Sequence, residues 1–153
     1  MLKDPKTLKD IQSSWETVRL VQAMVRTNLN AGAFGLIPQT DQFRNLAHNL
    51  VLFFAFSVLE DALKQCRDEE LFVSKGSELR RLMEASKSVV AWADYATIDS
   101  GRDKRNAVAH KRQFLPRAEC WQYIDAIEKE LIAWAILPGP VQKEYTISLT
   151  PKS

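Results

Sequence analysis

Residues 50–64 read LVLFFAFSVLEDALK, and this stretch decides the fold because its apolar residues recur at helical spacing. A long helix is predicted over residues 40–66, with Thr40 or Asp41 as its cap. Its apolar positions are Phe43, Leu46, Leu50, Phe53, Phe54, Val58, Leu59 and Leu63. Since the middle of this helix is apolar on nearly every side, we expect it to be a core helix that packs against several neighbours.

Further helices are predicted on both sides of this segment. One covers residues 5–30, where Asp4 and Pro5 start it and the glycines of residues 31–35 end it. Another covers residues 77–98, a short one follows over residues 102–111, and the last starts at Pro116 and stops at residues 138–140. The predicted fold is therefore an all-α, up-down bundle of four to five helices that occupies residues 1–140. Residues 141–153 are predicted to form an extended C-terminal tail, either a short strand or an arm across a partner.

Composition places the chain among ordinary globular domains. Its 153 residues fit one domain, and 21 Lys and Arg against 19 Asp and Glu give a net charge too small to identify a nucleic-acid binder. Cys66 and Cys120 lack C-x-x-C spacing, so buried free thiols are expected. The N-terminus lacks the apolar segment of a secretion signal, and the apolar run of residues 50–59 is short for a membrane span. We expect a cytoplasmic protein without a membrane partner.

Positive charge is concentrated around His110. The basic residues between positions 102 and 117 are Arg102, Lys104, Arg105, Lys111, Arg112 and Arg117. The second histidine, His48, lies between Leu46 and Leu50 of the core helix, where a core or interface role is expected. Any imidazole chemistry is therefore assigned first to His110.

The spacing of Arg105, Asn106 and His110 sets a geometric condition on a shared site. At about 100° per residue, Asn106 and His110 lie about 40° apart and share one helix face. Arg105 lies about 140° from His110, so a regular helix in one chain does not aim both at one phosphate. Either the helix begins irregularly near Arg105, or a second copy of the chain completes the site, which we favour.

These residue types suit the cleavage of RNA. An RNA phosphodiester carries its own nucleophile, the 2′-hydroxyl, and cleavage needs a base, a proton donor and positive charge on the phosphorane. Histidine titrates near neutral pH, and arginine offers a permanent forked donor to phosphate oxygens. This chemistry needs no metal or other cofactor, and no metal-ligand spacing occurs around His110.

The segment Arg105-Asn106-Ala107-Val108-Ala109-His110 matches the R-x(4-6)-H pattern of the HEPN superfamily, including a polar residue directly after the arginine. Residues 50–64 also resemble that family's core helix, which ends in an acidic residue facing the active cleft. With the order of the helices, the resemblance covers about residues 5–137.

The resemblance implies a helical ribonuclease that acts as a homodimer on RNA and leaves a 2′,3′-cyclic phosphate and a 5′-hydroxyl. His110 would be the general base or acid, Arg105 would stabilise the phosphorane, and Asn106 would orient the site. Glu60 or Asp61 would hold Arg105 or His110 in place, unless the pair is a solvated helix end. Charge and position, rather than the motif, indicate further contacts to the substrate backbone from Arg102, Lys104, Lys111 and Arg112.

Many members of that family are toxins or host-defence nucleases held inactive by an antitoxin-like partner. Some carry a tyrosine two residues after the histidine, which the partner modifies, but this chain has Arg112 there, so that regulation is not predicted. Two other interpretations fit the same residues. One is a non-catalytic HEPN-like module that binds RNA, a nucleotide or a protein, and the other is a helical interaction protein in which Asn106 and His110 only satisfy a polar surface.

Overall fold

The computed structural model describes residues 1–32 and 41–139 of the chain, and these residues form five α-helices with no strand among them. The helices are α1 (Pro5–Gly32), α2 (Asp41–Asp68), α3 (Leu79–Ser86), α4 (Tyr95–Lys111) and α5 (Arg117–Ala133). The prediction of an all-helical bundle is confirmed at this level. The predicted C-terminal tail and the turn after the first helix lie outside the described residues.

Helix α2 is the centre of the bundle, as its sequence predicts. It packs against α1, α3, α4 and α5. Its inward side chains are fully buried, among them Leu52, Phe56, Leu59 and Leu63. Because it touches all four of its neighbours, α2 determines where each of them lies.

The first two helices run antiparallel. The side-chain carboxylate of Asp4 accepts a hydrogen bond from the backbone N–H of Thr7 at 3.1 Å and so caps the start of α1. The carboxylate of Glu69, just beyond α2, accepts from the N–H groups of Lys3 and Asp4 at 2.7 and 3.0 Å. The start of α1 is therefore fixed to the end of α2, and Ile11, Trp15 and Val18 form the buried stripe of α1.

The prediction of one helix over residues 77–98 is wrong. Helix α3 ends at Ser86, and α4 begins at Tyr95 rather than at residue 102. Asp94 is the cap of α4, because its carboxylate accepts from the N–H of Thr97 at 3.2 Å. The buried carboxylate of Glu130 in α5 accepts from the N–H groups of Ala93 and Asp94 at 2.9 and 2.6 Å. These two hydrogen bonds hold the connection between α3 and α4 against α5 in a non-helical conformation.

Gly101 falls between the two helices predicted over residues 77–98 and 102–111, but it lies inside α4. An added Cβ there would lie 2.7 Å from Cδ1 of Tyr123 and 3.1 Å from Cζ of Phe56. The glycine therefore allows α4 to approach α5 and α2 closely. This close approach fixes which way the rest of α4, including the segment from Arg105 to His110, is turned.

Length and hydropathy alone would allow one described helix to cross a membrane. Within Phe43–Asp68 of α2, the most apolar window of 18 residues has a mean hydropathy of 1.5, and more than half of that window is buried inside the protein. The core helix of a helical bundle has the same length and hydropathy. The cytoplasmic location stays a prediction.

Candidate functional site

Helix α4 presents the R-x(4-6)-H segment in an unbroken helical frame. It continues from Tyr95 to Lys111, and Arg112 closes it in the left-handed conformation, with its N–H bonded to the carbonyl of Val108. No irregular start occurs at Arg105. The angle of about 140° between Arg105 and His110 therefore holds within one chain.

Arg105 lies against the central helix. Its guanidinium carbon is 5.7 Å from the ring centroids of both Phe53 and Phe56, which is a cation–π arrangement. Its Nε atom is buried and has no hydrogen-bond partner among the described residues. Burial lowers the pKa of Arg105 from 12.5, while the charge of Glu60 opposes this shift and that of Arg102 adds to it. Because an arginine side chain stays protonated in proteins even when its pKa is lowered, Arg105 is a cation that can donate hydrogen bonds to an anion.

His110 and Asn106 lie on a different side of α4 from Arg105. His110 is exposed in the last turn, and Asn106 is half-buried one helical turn earlier. The two share a face at about 40°. One chain by itself therefore presents Arg105 towards α2 and His110 towards solvent, and a phosphate that contacts both must sit where two surfaces meet.

The four predicted substrate contacts have different environments. The side chain of Arg102 is only 8 % exposed and pairs with Asp99 and Asp103, each at 2.9 Å. Lys104 pairs with Glu119 and lies 5.8 Å from the ring centroid of Tyr123. Lys111 and Arg112 are exposed and form no ion pair with any residue in the described ranges. Among these four residues, Arg102 and Lys104 are paired with carboxylates. The positive charges of Lys111 and Arg112 are the two that no carboxylate in the described ranges pairs with.

The two acidic candidates at the end of the core helix also differ. Glu60 is half-buried, forms an ion pair with Lys64 at 2.6 Å and attracts Arg105 electrostatically. Asp61 lies on the exposed side of α2, where partial desolvation raises its pKa. Glu60 is thus the acidic residue that acts on Arg105, although no direct hydrogen bond between the two side chains is present among the described contacts.

Sequence reasoning missed the residue that fixes the connection after His110. Asn49 is fully buried in α2, and its side-chain amide donates to the carbonyl of Leu115 at 3.0 Å and accepts from its N–H at 3.1 Å. The same amide donates to the carbonyl of Asn45 at 2.7 Å. The sequence signal for this role was an asparagine inside an otherwise apolar helix, because a buried amide needs hydrogen-bond partners.

His48 is buried, as its position predicts. Its ring lies edge-on to Trp121, with centroids 5.3 Å apart. Its Nδ1 atom has no hydrogen-bond partner among the described residues. Burial, and then the charge of Arg117, lower its pKa from 6.5. His48 therefore belongs to the packing between α2 and α5 and not to the surface that carries His110.

An apolar stripe on α2 borders this surface. Leu46, Leu50 and Phe54 are exposed on the outer face of α2, at four-residue spacing. Helices α2 and α4 are antiparallel neighbours, since Phe56 lies beside Gly101, Phe53 beside Arg105 and Asn49 beside Leu115. Leu46, Leu50 and Phe54, called the α2 stripe below, therefore lie at the same level as the segment from Arg105 to His110.

No group of three or more His, Cys, Asp or Glu side chains within residues 1–32 and 41–139 is placed to hold a metal ion. In comparisons with known proteins, no family model, no curated protein and no solved structure matches the chain.

Proposed function

We propose that the chain is a metal-independent endoribonuclease of the HEPN type, which cuts RNA to 2′,3′-cyclic phosphate and 5′-hydroxyl ends at a site between two copies. The observation that carries the proposal is the state of Arg105. Its cation is half-buried beside two rings, its Nε has no partner among the described groups, and it lies in the motif that also contains His110. The guanidinium of a half-buried arginine is a forked cationic donor suited to phosphate oxygens, although its Nε atom is itself buried.

In the proposed reaction the 2′-oxygen of a ribose attacks the adjacent phosphorus, and the bond from phosphorus to the 5′-oxygen breaks. An imidazole at position 110 accepts the 2′-hydroxyl proton, and the same residue of the second copy donates a proton to the leaving 5′-oxygen. Arg105 stabilises the charge on the phosphorane, and Asn106 orients the imidazole. Lys111 and Arg112 bind the RNA backbone on either side.

The α2 stripe supports the dimer in this proposal. Leu50 is 56 % exposed, and contiguous apolar surface on a helix is typical of a protein interface. A two-fold interface through this stripe would bring α4 of one copy close to α4 of the other, because the stripe and the motif lie at one level. Within this proposal the protein acts in the cytoplasm as a toxin or host-defence nuclease, and an antitoxin-like protein that covers the cleft would inhibit it.

A second candidate function is a non-catalytic HEPN-like module that binds RNA, a nucleotide or a protein. The observation in its favour is that Arg105 and His110 diverge within one chain. This module would retain affinity for RNA and would produce no cyclic phosphate ends.

The deciding experiment measures RNA cleavage by the purified protein in EDTA, with His110→Ala, Arg105→Ala and the exposed-loop control Lys75→Ala. We expect cleavage by the wild type and by Lys75→Ala, and loss of cleavage in the other two variants. Mixing the wild type with an equal amount of His110→Ala should leave about a quarter of the wild-type activity, because only a quarter of the randomly formed dimers contain both imidazoles. Undiminished cleavage by either single variant would refute the site, and half of the wild-type activity in the mixture would refute the sharing.

A further inference from the structure

Five exposed apolar side chains lie on one side of the bundle and at one level. Leu20 and Met24 of α1 are 45 % and 47 % exposed, and the α2 stripe adds three more on the neighbouring helix. The hydrogen bonds that join the start of α1 to the end of α2 set the register of these antiparallel helices. In this register Met24 lies at about the level of Leu50, and Leu20 at about that of Phe54. Leu20, Met24 and the α2 stripe are called the front face below.

The α1 part of the front face points away from α5. Arg19 marks the side of α1 that α5 covers, because its guanidinium pairs with Asp125 and Glu128 at 3.0 and 2.7 Å. At about 100° per residue, Met24 lies about 140° around α1 from Arg19, and Leu20 lies about 100° from it. Both side chains therefore lie on the surface that α5 leaves open.

Helices α1, α2 and α4 form one layer, and α5 lies behind it. The ring of His48 in α2 contacts Trp121 of α5, so His48 marks the back of α2. Phe53 faces α4, and the buried side chain of Val51, about 160° away, lies on the side that remains for α1. Leu50 lies about 160° from His48 and therefore points out of the front of the layer.

The motif borders the front face on the α4 side. Lys104 marks the side of α4 that α5 covers, because it pairs with Glu119. Asn106 lies about 160° around the helix from Lys104, and His110 about 120° from it, so both point to the front. The front of the layer therefore carries apolar side chains on α1 and α2 and the motif on α4.

A second copy of the chain fits the front face. Its five half-exposed side chains present about 400 Å² of apolar surface, close to the apolar share of the roughly 800 Å² that each partner buries in a standard interface. All five are uncharged, so the face can pair with itself without repulsion between like charges. The proposed site also needs a second copy, because Arg105 faces α2 and His110 faces solvent within one chain.

Two directions of a two-fold axis would bring two front faces together. An axis along the helices would place α4 of one copy over α1 of the other. An axis across the helices would place α1 over α1, α2 over α2 and α4 over α4. Only the second direction brings the two motifs together. This axis crosses the layer at the level of the motif, which is also the level of Leu50 and Met24.

We infer that a second copy covers the front face with the axis across the helices, so that Met24 of one copy lies against the partner's Met24. The direction of the axis rests on the proposed function, whereas the composition of the front face does not. Helix α1, which carries no residue of the motif, becomes part of the interface. The contacts of α1 and α2 then close the cleft on one side, so RNA reaches the two motifs from the α4 side.

Chemical cross-linking at position 24 tests this arrangement. The full chain carrying Met24→Cys is treated with a short bismaleimide, and denaturing electrophoresis measures the covalent dimer. The chain's own thiols, Cys66 and Cys120, are buried, so the wild type gives the background. The matched control is Val73→Cys, because Val73 is 89 % exposed and lies outside the front face. Adding Leu50→Glu to Met24→Cys disrupts the apolar contact and keeps the thiol.

At low protein concentration we expect Met24→Cys to give roughly tenfold more covalent dimer than Val73→Cys, because the interface raises the local concentration of the second thiol. The double variant with Leu50→Glu should fall to the level of Val73→Cys. Equal yields from Met24→Cys and Val73→Cys would overturn the inference, whether light scattering finds a dimer or a monomer.

RNA cleavage by the wild type, measured separately, distinguishes this inference from the proposed function. Efficient cross-linking of Met24→Cys in a protein that cuts no RNA would support the interface and count against the nuclease. Cleavage without cross-linking at position 24 would leave the proposed function standing and remove only this interface.

Discussion

The side-chain amide of Asn49 pairs with the backbone of Leu115 through two hydrogen bonds, in the way that one strand pairs with another. Replacing it with Ala would remove both hydrogen bonds, leaving the N–H of the half-buried Leu115 without its partner and its carbonyl with only the Cys120 thiol at 3.8 Å. We expect Asn49→Ala to lower the free energy of unfolding by about 2 kcal/mol or more. Urea denaturation measures this loss. Asn45→Ala, at an exposed position on the same helix, is the control and should change little.

The contact of Gly101 with Tyr123 gives a second prediction. Gly101→Ala would force a methyl group to within 2.7 Å of a buried ring, so the ring or the helix must move. We expect a loss of about 1 to 3 kcal/mol in the free energy of unfolding. Gly139→Ala is a matched control, because nothing lies within 4 Å of the added group there. Similar melting temperatures for both variants would contradict the close packing of α4.

The burial of His48 predicts a loss of stability in acid. Because the folded state lowers the pKa of His48 below 6.5, the unfolded chain binds the proton first as the pH falls. The free energy of unfolding should therefore decrease below the ordinary pKa, down to the folded-state pKa. His48→Gln removes this titration, so its dependence between about pH 7.5 and pH 5.5 should be flatter than that of the wild type. Parallel curves would contradict this assignment.

Both thiols should be unreactive in the native protein. Burial raises the pKa of Cys66 and of Cys120 to about 12, so almost no thiolate is present at neutral pH. Titration with a disulfide reagent should find no reactive thiol in buffer and two in denaturant. A thiol that reacts quickly in the native state would show that α2 or α5 opens locally.

The exposure of Leu50 predicts an effect on oligomeric state if the proposed dimer is right. Leu50→Glu would introduce charge into the α2 stripe and should convert the dimer into a monomer, with a loss of RNA cleavage. Light scattering measures the mass, and circular dichroism checks that the helices remain. Val73→Glu controls for the added charge at an exposed valine. A monomeric wild type would contradict the dimer directly.

Much of the fold could be predicted because the apolar spacing of the long helices is regular. The central position of α2 and the buried stripe of α1 both follow from periodicity alone. The break between α3 and α4 could not be predicted, since it depends on Glu130, which lies 36 residues beyond Asp94 in the chain. The sequence around residues 87–94 does not indicate that a carboxylate so far along the chain will bind their backbone.

The composition of the candidate site and the angles between its residues were predictable, whereas the ion pairs of its basic residues were not. Arg105, Asn106 and His110 could be selected from their spacing, and the regular helix keeps the angles that this spacing implies. The pairing of Arg102 with two aspartates was not foreseen, although Asp99 and Asp103 lie three residues before it and one after it. The number of basic residues between positions 102 and 117 therefore overestimates the positive charge available to RNA, because nearby carboxylates pair with Arg102 and Lys104.

The central place of α2 has a consequence for how the protein opens. Helix α4 also contacts α5, and Arg19 of α1 pairs with Asp125 and Glu128 of α5, but α2 alone among the described helices packs against all four others. Loss of α2 would therefore remove the main packing surface of every other described helix. Amide hydrogens in the middle of α2 should exchange with solvent only when the whole bundle unfolds, as a single cooperative unit.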